Sequence, residues 1–255
     1  MGQSFTTSSL TTTQGLIDSL HHLYPMSDAI QLVALDGNIG SGKSTLLALL
    51  QKRYENKENT IILQEPVNVW DEMRDKDGVS ILSHFYQNKE KYSFPFQMLA
   101  FITRLNIMNQ AVMKAREIFH LTKKRVYIIT ERSLYTDKEI FAKMLYDSGM
   151  IEDINYKIYL KWFDEFAISF KCKKQIYLRT FPITCKERIQ IRSRTGESDI
   201  QSDYLYECDR YHTDYINMLA ANDVNILKLD GNIDIKNTNL VNEMMNKIDG
   251  FIYYE

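Results

Sequence analysis

Ten residues constrain this chain more than any others: Asp36-Gly37-Asn38-Ile39-Gly40-Ser41-Gly42-Lys43-Ser44-Thr45. Gly37, Gly42, Lys43 and Ser44 fill the P-loop pattern G-x-x-x-x-G-K-[ST]. The flanks supply the setting that the pattern needs. The apolar run Ile30–Leu35 leads in, and the helical run Thr45–Leu50 leads out. Glycines here let backbone N–H groups turn inward as an anion nest, with the positive end of the following helix behind them. Lys43 can then reach the outer phosphates of a nucleotide, and the Ser44 hydroxyl can ligate Mg2+.

Short β-rich runs recur at Ile30–Leu35, Thr60–Gln64, Val126–Thr130, Gln175–Arg179 and Asn225–Leu229, with helical stretches between them. Strands alternating with helices predict a parallel sheet covered on both faces. The expected fold class is therefore α/β: a doubly wound, P-loop NTPase-type sheet of five parallel strands flanked by helices. Its ligands belong at the carboxyl ends of the strands. The helical runs are Phe94–Phe119, then Asp137–Tyr146 and Asn155–Ile168 split by Gly149, then a helix from Pro182 through Arg192, and last Ser202–Leu219 and Asn237–Ile248. Residues 71–92 are polar and irregular, and predict a partly helical loop near the site. With 255 residues, 44% of them hydrophobic and 25% charged, the chain has the make-up of one soluble domain with a substantial core. That domain is expected over residues 29–255. A flexible Ser/Thr-rich tail, residues 1–28, precedes it and carries a short amphipathic stretch near Leu16–Leu23.

The strand ends carry acids. The second strand ends in Gln64-Glu65-Pro66-Val67 with Trp70 close behind, and the third in Thr130-Glu131-Arg132-Ser133. Phosphoryl transfer to a hydroxyl needs a base for the hydroxyl proton, a metal, and cations over the transferring group. A carboxylate near the acceptor and another near Mg2+ would supply the first two. By itself, Glu131 could equally be capping the helix that follows. The cations come at Arg188 and Arg192, four apart on one helical face, and at Arg194 before Gly196. Guanidinium grips phosphate oxygens bidentately. Taken alone, the same stretch also reads as a solvated basic face paired with Glu187 and Glu197. In Phe94-Pro95-Phe96-Gln97, Gln97 can bond a base edge with both halves of its amide, and Arg104, seven residues on, shares its helical face. Phe96 and Phe141 could stack on a flat base or simply pack in the core.

In order and spacing, these motifs resemble the deoxynucleoside kinase family and, within it, the deoxycytidine/deoxyguanosine kinase branch. The resemblance runs from about Ala29 to the region of Ile235. It rests on Gly37–Thr45, Glu65-Pro66-Val67 with Trp70, Ser93-Phe94-Pro95-Phe96-Gln97, Glu131-Arg132-Ser133 with Asp137, and the arginine lid. It implies an enzyme that uses Mg2+ and ATP, or another nucleoside triphosphate, to phosphorylate the 5′-hydroxyl of a deoxynucleoside for nucleotide salvage. Glu65 then looks like the carboxylate that accepts the 5′-hydroxyl proton. Arg132 is similar to the arginine that holds that hydroxyl and the transferring phosphate. Glu131 resembles the residue that places Mg2+ together with Ser44, and some descriptions of the family make it the proton acceptor instead. Gly37, Asn38, Ile39, Gly40, Ser41, Gly42, Lys43, Ser44 and Thr45 cradle the donor phosphates. Arg188, Arg192 and Arg194 close over them, and Asp234 and Ile235 fall at the donor base. Gln97 matches the base-edge reader, with Phe96 and Phe141 stacking and Trp70 lining the same pocket. Tyr86 and Glu197 match positions that hold the sugar 3′-hydroxyl. Arg104 and Asp137 match the charged pair of the deoxycytidine and purine branch. A buried pair of this kind favours bases that hydrogen-bond with it. Deoxycytidine, deoxyadenosine or deoxyguanosine is thus expected over thymidine, with a broad-specificity or thymidine-accepting enzyme as the alternative. The loop interior Asn38-Ile39-Gly40-Ser41 and the Pro95 within the substrate motif depart slightly from the family pattern. The resemblance also implies a homodimer through Phe94–Phe119 and Asn155–Ile168.

Rival readings have their own requirements. A nucleoside monophosphate kinase needs arginines for the acceptor phosphate in mid-chain, and around Gln97 only Arg104 is at hand. A non-catalytic scaffold of the same fold would have lost Lys43, Glu65 or the lid arginines, and all are present. The net charge of −2 gives no general pull toward nucleic acid or an acidic membrane. Cys172, Cys185 and Cys208 fit neither a zinc spacing nor a disulfide framework, which points to a reducing, cytoplasmic compartment. No run of about 18 apolar residues is present to span a membrane. Residues 1–28 lack the arginines of a mitochondrial leader. Met1-Gly2-Gln3-Ser4-Phe5-Thr6 fits the myristoylation pattern, though one acyl chain anchors only weakly.

Overall fold

The computed structural model describes residues 28–194, 197 and 200–254. The tail, its amphipathic stretch and its acylation pattern lie outside them, apart from Asp28. Among the described residues, no helix is long and apolar enough to cross a membrane.

One sheet runs through the molecule, in the order β2-β3-β1-β4-β5, all parallel. The strands are β1 Ile30–Asp36, β2 Thr60–Leu63, β3 Val126–Glu131, β4 Lys174–Arg179 and β5 Asn225–Asp230. The five expected strands are all present, each within one residue of its expected bounds at either end. β1 is central, and its apolar run without alternation follows from burial on both faces. Leu32 and Ala34 face a core built with Phe101, Met108, Tyr159 and Phe163. Val33 and Leu35 face the opposite core, with Leu46, Leu47, Leu50, Met245 and Ile248. The register pairs Leu35 with Glu131 and Asp36 with Tyr177, so β1, β3 and β4 bring their carboxyl ends to one level.

The covering helices are α1 Lys43–Arg53, α2 Val67–Glu72, α3 Ile81–Gln87 and α4 Lys89–Thr122. After β3 the chain forms α5 Leu134–Thr136, a π-helical turn Asp137–Ala142, and α6 Lys143–Asp147. Then come α7 Asp153–Phe166, a 3-10 turn Ile168–Phe170, α8 Pro182–Arg192, α9 Ser202–Ala221 and α10 Thr238–Tyr253.

Two features differ from the sequence expectation, each for a local reason. α4 has 34 residues and is about 51 Å long, starting at Lys89 rather than Phe94. The Asn88 side chain caps it by accepting from the Lys91 amide, so Pro95 lies inside the helix, with no N–H for the Lys91 carbonyl. Residues 71–92 are partly helical and border the site, as expected. An Arg74–Ser80 bridge and the Asp75 carboxylate, which accepts from the Asp77 and Val79 amides, close a turn between α2 and α3. The helix expected from Asp137 begins at Leu134, behind a Ser133–Thr136 capping box, and passes through π-helical winding. Such winding is frequent at functional sites.

Candidate active site

The carboxyl ends of the strands open into a cavity of about 540 Å3, a size that suits a small ligand. The P-loop forms one end. Gly40 has a φ of 78°, and a Cβ there would stand 2.5 Å from the Cys185 carbonyl oxygen, so only glycine fits. Asn38 donates from Nδ2 to the Leu205 carbonyl at 2.8 Å, tying the loop to α9. No side chain caps α1, whose N-cap is Gly42; its positive end is left for an anion. Lys43 is buried and donates to the Asn38 carbonyl at 2.8 Å. Burial first, then the charge of Arg132, lower its pKa to about 8. The Ser44 hydroxyl donates to Glu131 Oε1 at 2.8 Å. These two hard oxygens fit Mg2+, which takes most of its ligands from phosphates and water. Among the described residues, no group of three or more His, Cys, Asp or Glu could hold a metal alone.

The three arginines do not act as one group. Arg188 donates to the carbonyls of Ser41 at 3.0 Å, Gly231 at 2.8 Å and Ile233 at 3.3 Å. It fastens the P-loop to the exit of β5. Arg192 and Arg194 both bond to Glu197, Arg194 at 3.1 Å. Glu197 thus faces the lid arginines as well as the cavity. Asp234 and Ile235 line the same end, Asp234 in a turn closed by the Lys236 amide at 2.9 Å.

At the other end, charges concentrate. Glu65 Oε1 accepts from Arg104 Nη2 at 2.8 Å and from Arg132 Nε at 3.2 Å. Burial alone would raise the Glu65 pKa, but Arg132, Arg104 and Lys43 outweigh it and hold it at about 2. Arg104 also donates to Asp137 Oδ2 and to the Glu131 carbonyl, both at 2.7 Å. It therefore supports the general-base candidate as well as the base pocket. Arg132 adopts a left-handed φ of 63°, with its guanidinium 4.6 Å above the Phe141 ring.

Gln97 is buried, and its Oε1 has no partner among the described residues. An unmet buried acceptor is costly unless a ligand supplies a donor. Phe96 stacks on Phe85 at 4.7 Å and meets Trp70 edge-on at 5.4 Å. Trp70 is held by an Nε1 bond to the Thr103 hydroxyl at 3.0 Å. Tyr86 lines the cavity beside Phe85 and Tyr204, and burial pushes its phenol pKa up.

Every sequence-predicted site residue except Asn38 lines this cavity or, for Gly37, the loop bounding it, and Asn38 anchors that loop. Sequence reasoning missed Phe85, Tyr204 and His212. The first two carry no motif. His212 left a trace: it falls on the buried stripe of α9 with Leu205, Cys208, Tyr215 and Leu219, the one imidazole in an apolar helical face.

Comparisons with known proteins agree with the geometry. The family model described as deoxynucleoside kinase matches residues 33–253. The chain is 31% identical over 231 residues to the deoxycytidine kinase of Homo sapiens, covering 81% of this chain and 86% of that protein. It is 29% identical to deoxycytidine kinase 2 of Gallus gallus, over 88% of this chain and 91% of that protein. It is 32% identical to a probable deoxycytidine kinase of Fowlpox virus, over 86% of this chain and 87% of that protein.

Proposed function

The chain belongs to the deoxynucleoside kinase family and is an enzyme of nucleoside phosphorylation; on that premise, we propose its donor, its acceptor and its residue roles. The donor is ATP with Mg2+, and the acceptor is the 5′-hydroxyl of deoxycytidine, deoxyadenosine or deoxyguanosine, in preference to thymidine. One observation carries this reading: a single cavity is lined by Lys43 and Ser44 of the P-loop, by Gln97 and Arg104, and by Glu65 and Arg132, with Glu65 bonded to both arginines.

Lys43 and the α1 N-terminus bind the donor phosphates, with Arg192 and Arg194 exchanging Glu197 for phosphate oxygens. Mg2+ held by Ser44 and Glu131 would neutralise charge on those phosphates. Gln97 bonds the base edge between Phe96 and Phe141, and Tyr86 and Glu197 hold the sugar. Glu65 takes the hydroxyl proton. A carboxylate with a pKa near 2 is a weak base. It suffices where the transition state is loose and the oxygen needs little activation before attack. Arg132 stabilises the charge on the transferring group.

The test is a phosphorylation assay of the unaltered protein with the four natural deoxynucleosides. The three preferred substrates should exceed thymidine in kcat/KM by at least about tenfold. Thymidine as the best substrate would remove the role given to Arg104 and Asp137. No turnover of any of the four would leave a scaffold.

The Lys43 shift has a consequence with a definite sign. The free protein sheds the Lys43 proton as pH rises through about 8, whereas bound phosphates favour the charged ammonium. Triphosphate affinity should therefore fall above pH 8, by up to about tenfold per pH unit, with proton uptake on binding. Calorimetry at pH 8.5 in two buffers of different ionisation heat reads that uptake, and Lys43→Arg should abolish it.

A homodimer completes the reading. Ile154, Ile158 and Trp162 are exposed at four-residue spacing on α7, and Ile102 and Met113 are exposed on α4. Apolar stripes of this kind favour a partner surface, and sedimentation velocity measures the mass directly. The buried free thiols of Cys172, Cys185 and Cys208 support a cytoplasmic location.

A further inference from the structure

His212 has no place in the roles above, yet it is 0% exposed in the middle of α9. A histidine buried this completely needs partners for its ring nitrogens. Nδ1 stands 2.6 Å from the Cys208 carbonyl oxygen. A carbonyl only accepts, so Nδ1 carries the proton. Nε2 then presents a lone pair, and Arg132 Nη1 faces it at 3.5 Å. Arginine only donates, so this one tautomer satisfies both neighbours. Burial, and next the charge of Arg132, keep the ring neutral, with its pKa down at about 3. The Cys208 carbonyl and, less, the Gly37 carbonyl pull the other way, and Gly37 already accepts from Arg132 Nη1 at 3.0 Å. Aromatic rings fix the imidazole plane: Tyr177 lies parallel at 6.3 Å and Phe141 edge-on at 6.0 Å.

Arg132 has reason to need such support. Its left-handed backbone is strained for a residue with a Cβ. Glu65 holds its Nε, the Gly37 carbonyl holds Nη1, and the Phe141 ring covers one face. His212, 80 residues away in sequence, faces the same Nη1 as a second acceptor.

We propose that His212 is a positioning residue for the transfer step: its neutral Nε2 accepts from Arg132 Nη1 and holds the guanidinium where it meets the 5′-hydroxyl and the transferring phosphoryl. His212 touches neither reactant, and the inference rests on the role proposed for Arg132. At 3.5 Å the bond is long, so it contributes direction more than strength. Misplacing a catalytic group by about 1 Å can lower a rate by roughly a hundredfold, and losing one of several supports lowers it less.

Two substitutions separate positioning from packing. Asparagine keeps a polar atom at the place of Nδ1, near Cys208, but cannot reach Arg132. Glutamine sets its amide oxygen near the place of Nε2. His212→Asn should lower kcat about tenfold with the nucleoside KM nearly unchanged, and His212→Gln should regain most of the loss. In a double-mutant cycle, His212→Asn should lower kcat no further once Arg132→Gln is present. Wild-type kcat in His212→Asn overturns the proposal. Equal losses in both variants, tracking a lower melting temperature, also overturn it and leave a packing role. If the asparagine variant does not fold, the glutamine variant decides: retained kcat supports the proposal and a tenfold loss overturns it. Wild-type kcat in Arg132→Gln would instead overturn the reading of Arg132, an outcome distinct from the others.

Discussion

Glu65→Gln should lower kcat by at least about a hundredfold, the usual scale for a general base. The substitution keeps the shape and leaves Arg132 and Arg104 their other partners: the Gly37 carbonyl, the Glu131 carbonyl and Asp137. What it removes is the carboxylate lone pair that Arg104 and Arg132 hold in place. The depressed pKa of Glu65 adds a second expectation. Its carboxylate is already ionised well below neutrality, so kcat should show no acid limb from Glu65 between pH 5 and 8. Single-turnover rates across that range measure both effects. An unchanged kcat in Glu65→Gln rejects it as the base, and Glu131 is then the residue to replace.

The second large effect is on stability before it is on selectivity. Arg104 and Asp137 are both buried and bonded at 2.7 Å. Arg104→Met leaves the Asp137 carboxylate buried without its counter-charge, which costs about 3–5 kcal/mol. For a chain of this size that corresponds to a melting temperature lower by roughly 10 °C. Adding Asp137→Ala removes the stranded charge and should recover much of the loss, a result opposite to additivity. Only the double variant is then sound enough to test base choice. Its kcat/KM ratio of thymidine to deoxycytidine should rise about tenfold, while its kcat falls for every substrate, because Glu65 keeps only one of its two arginines. A flat ratio would show that the pair does not choose the base.

The strands and the P-loop were readable because their causes are local. A strand buried on both faces must be apolar through its middle, and Leu32–Leu35 is. A phosphate cradle must have glycine where a Cβ would strike Cys185, and Gly40 provides it. The start of α4 was harder, since proline usually marks a first turn, whereas Asn88 begins this helix well before Pro95. Arg188, Arg192 and Arg194 showed the limit of spacing arguments. Helical periodicity assigns a face but not a partner, and tertiary contacts divided the three between loop carbonyls and Glu197. The second duty of Arg104, bracing Glu65, and the approach of His212 to Arg132 depend on residues far apart in the chain. Composition and period hold no trace of such meetings.

The length of α4 has an engineering consequence. Gln97 and Arg104 are set on the same rod as the exposed Met113, about 24 Å along its axis from Gln97. A rod of this kind would work as a beam: whatever gripped its outer span would also set the tilt of the span proposed to read the base. Changes selected for tighter association on the outside would be felt as altered tolerance for nucleobases on the inside, and the two properties would drift together under mutation.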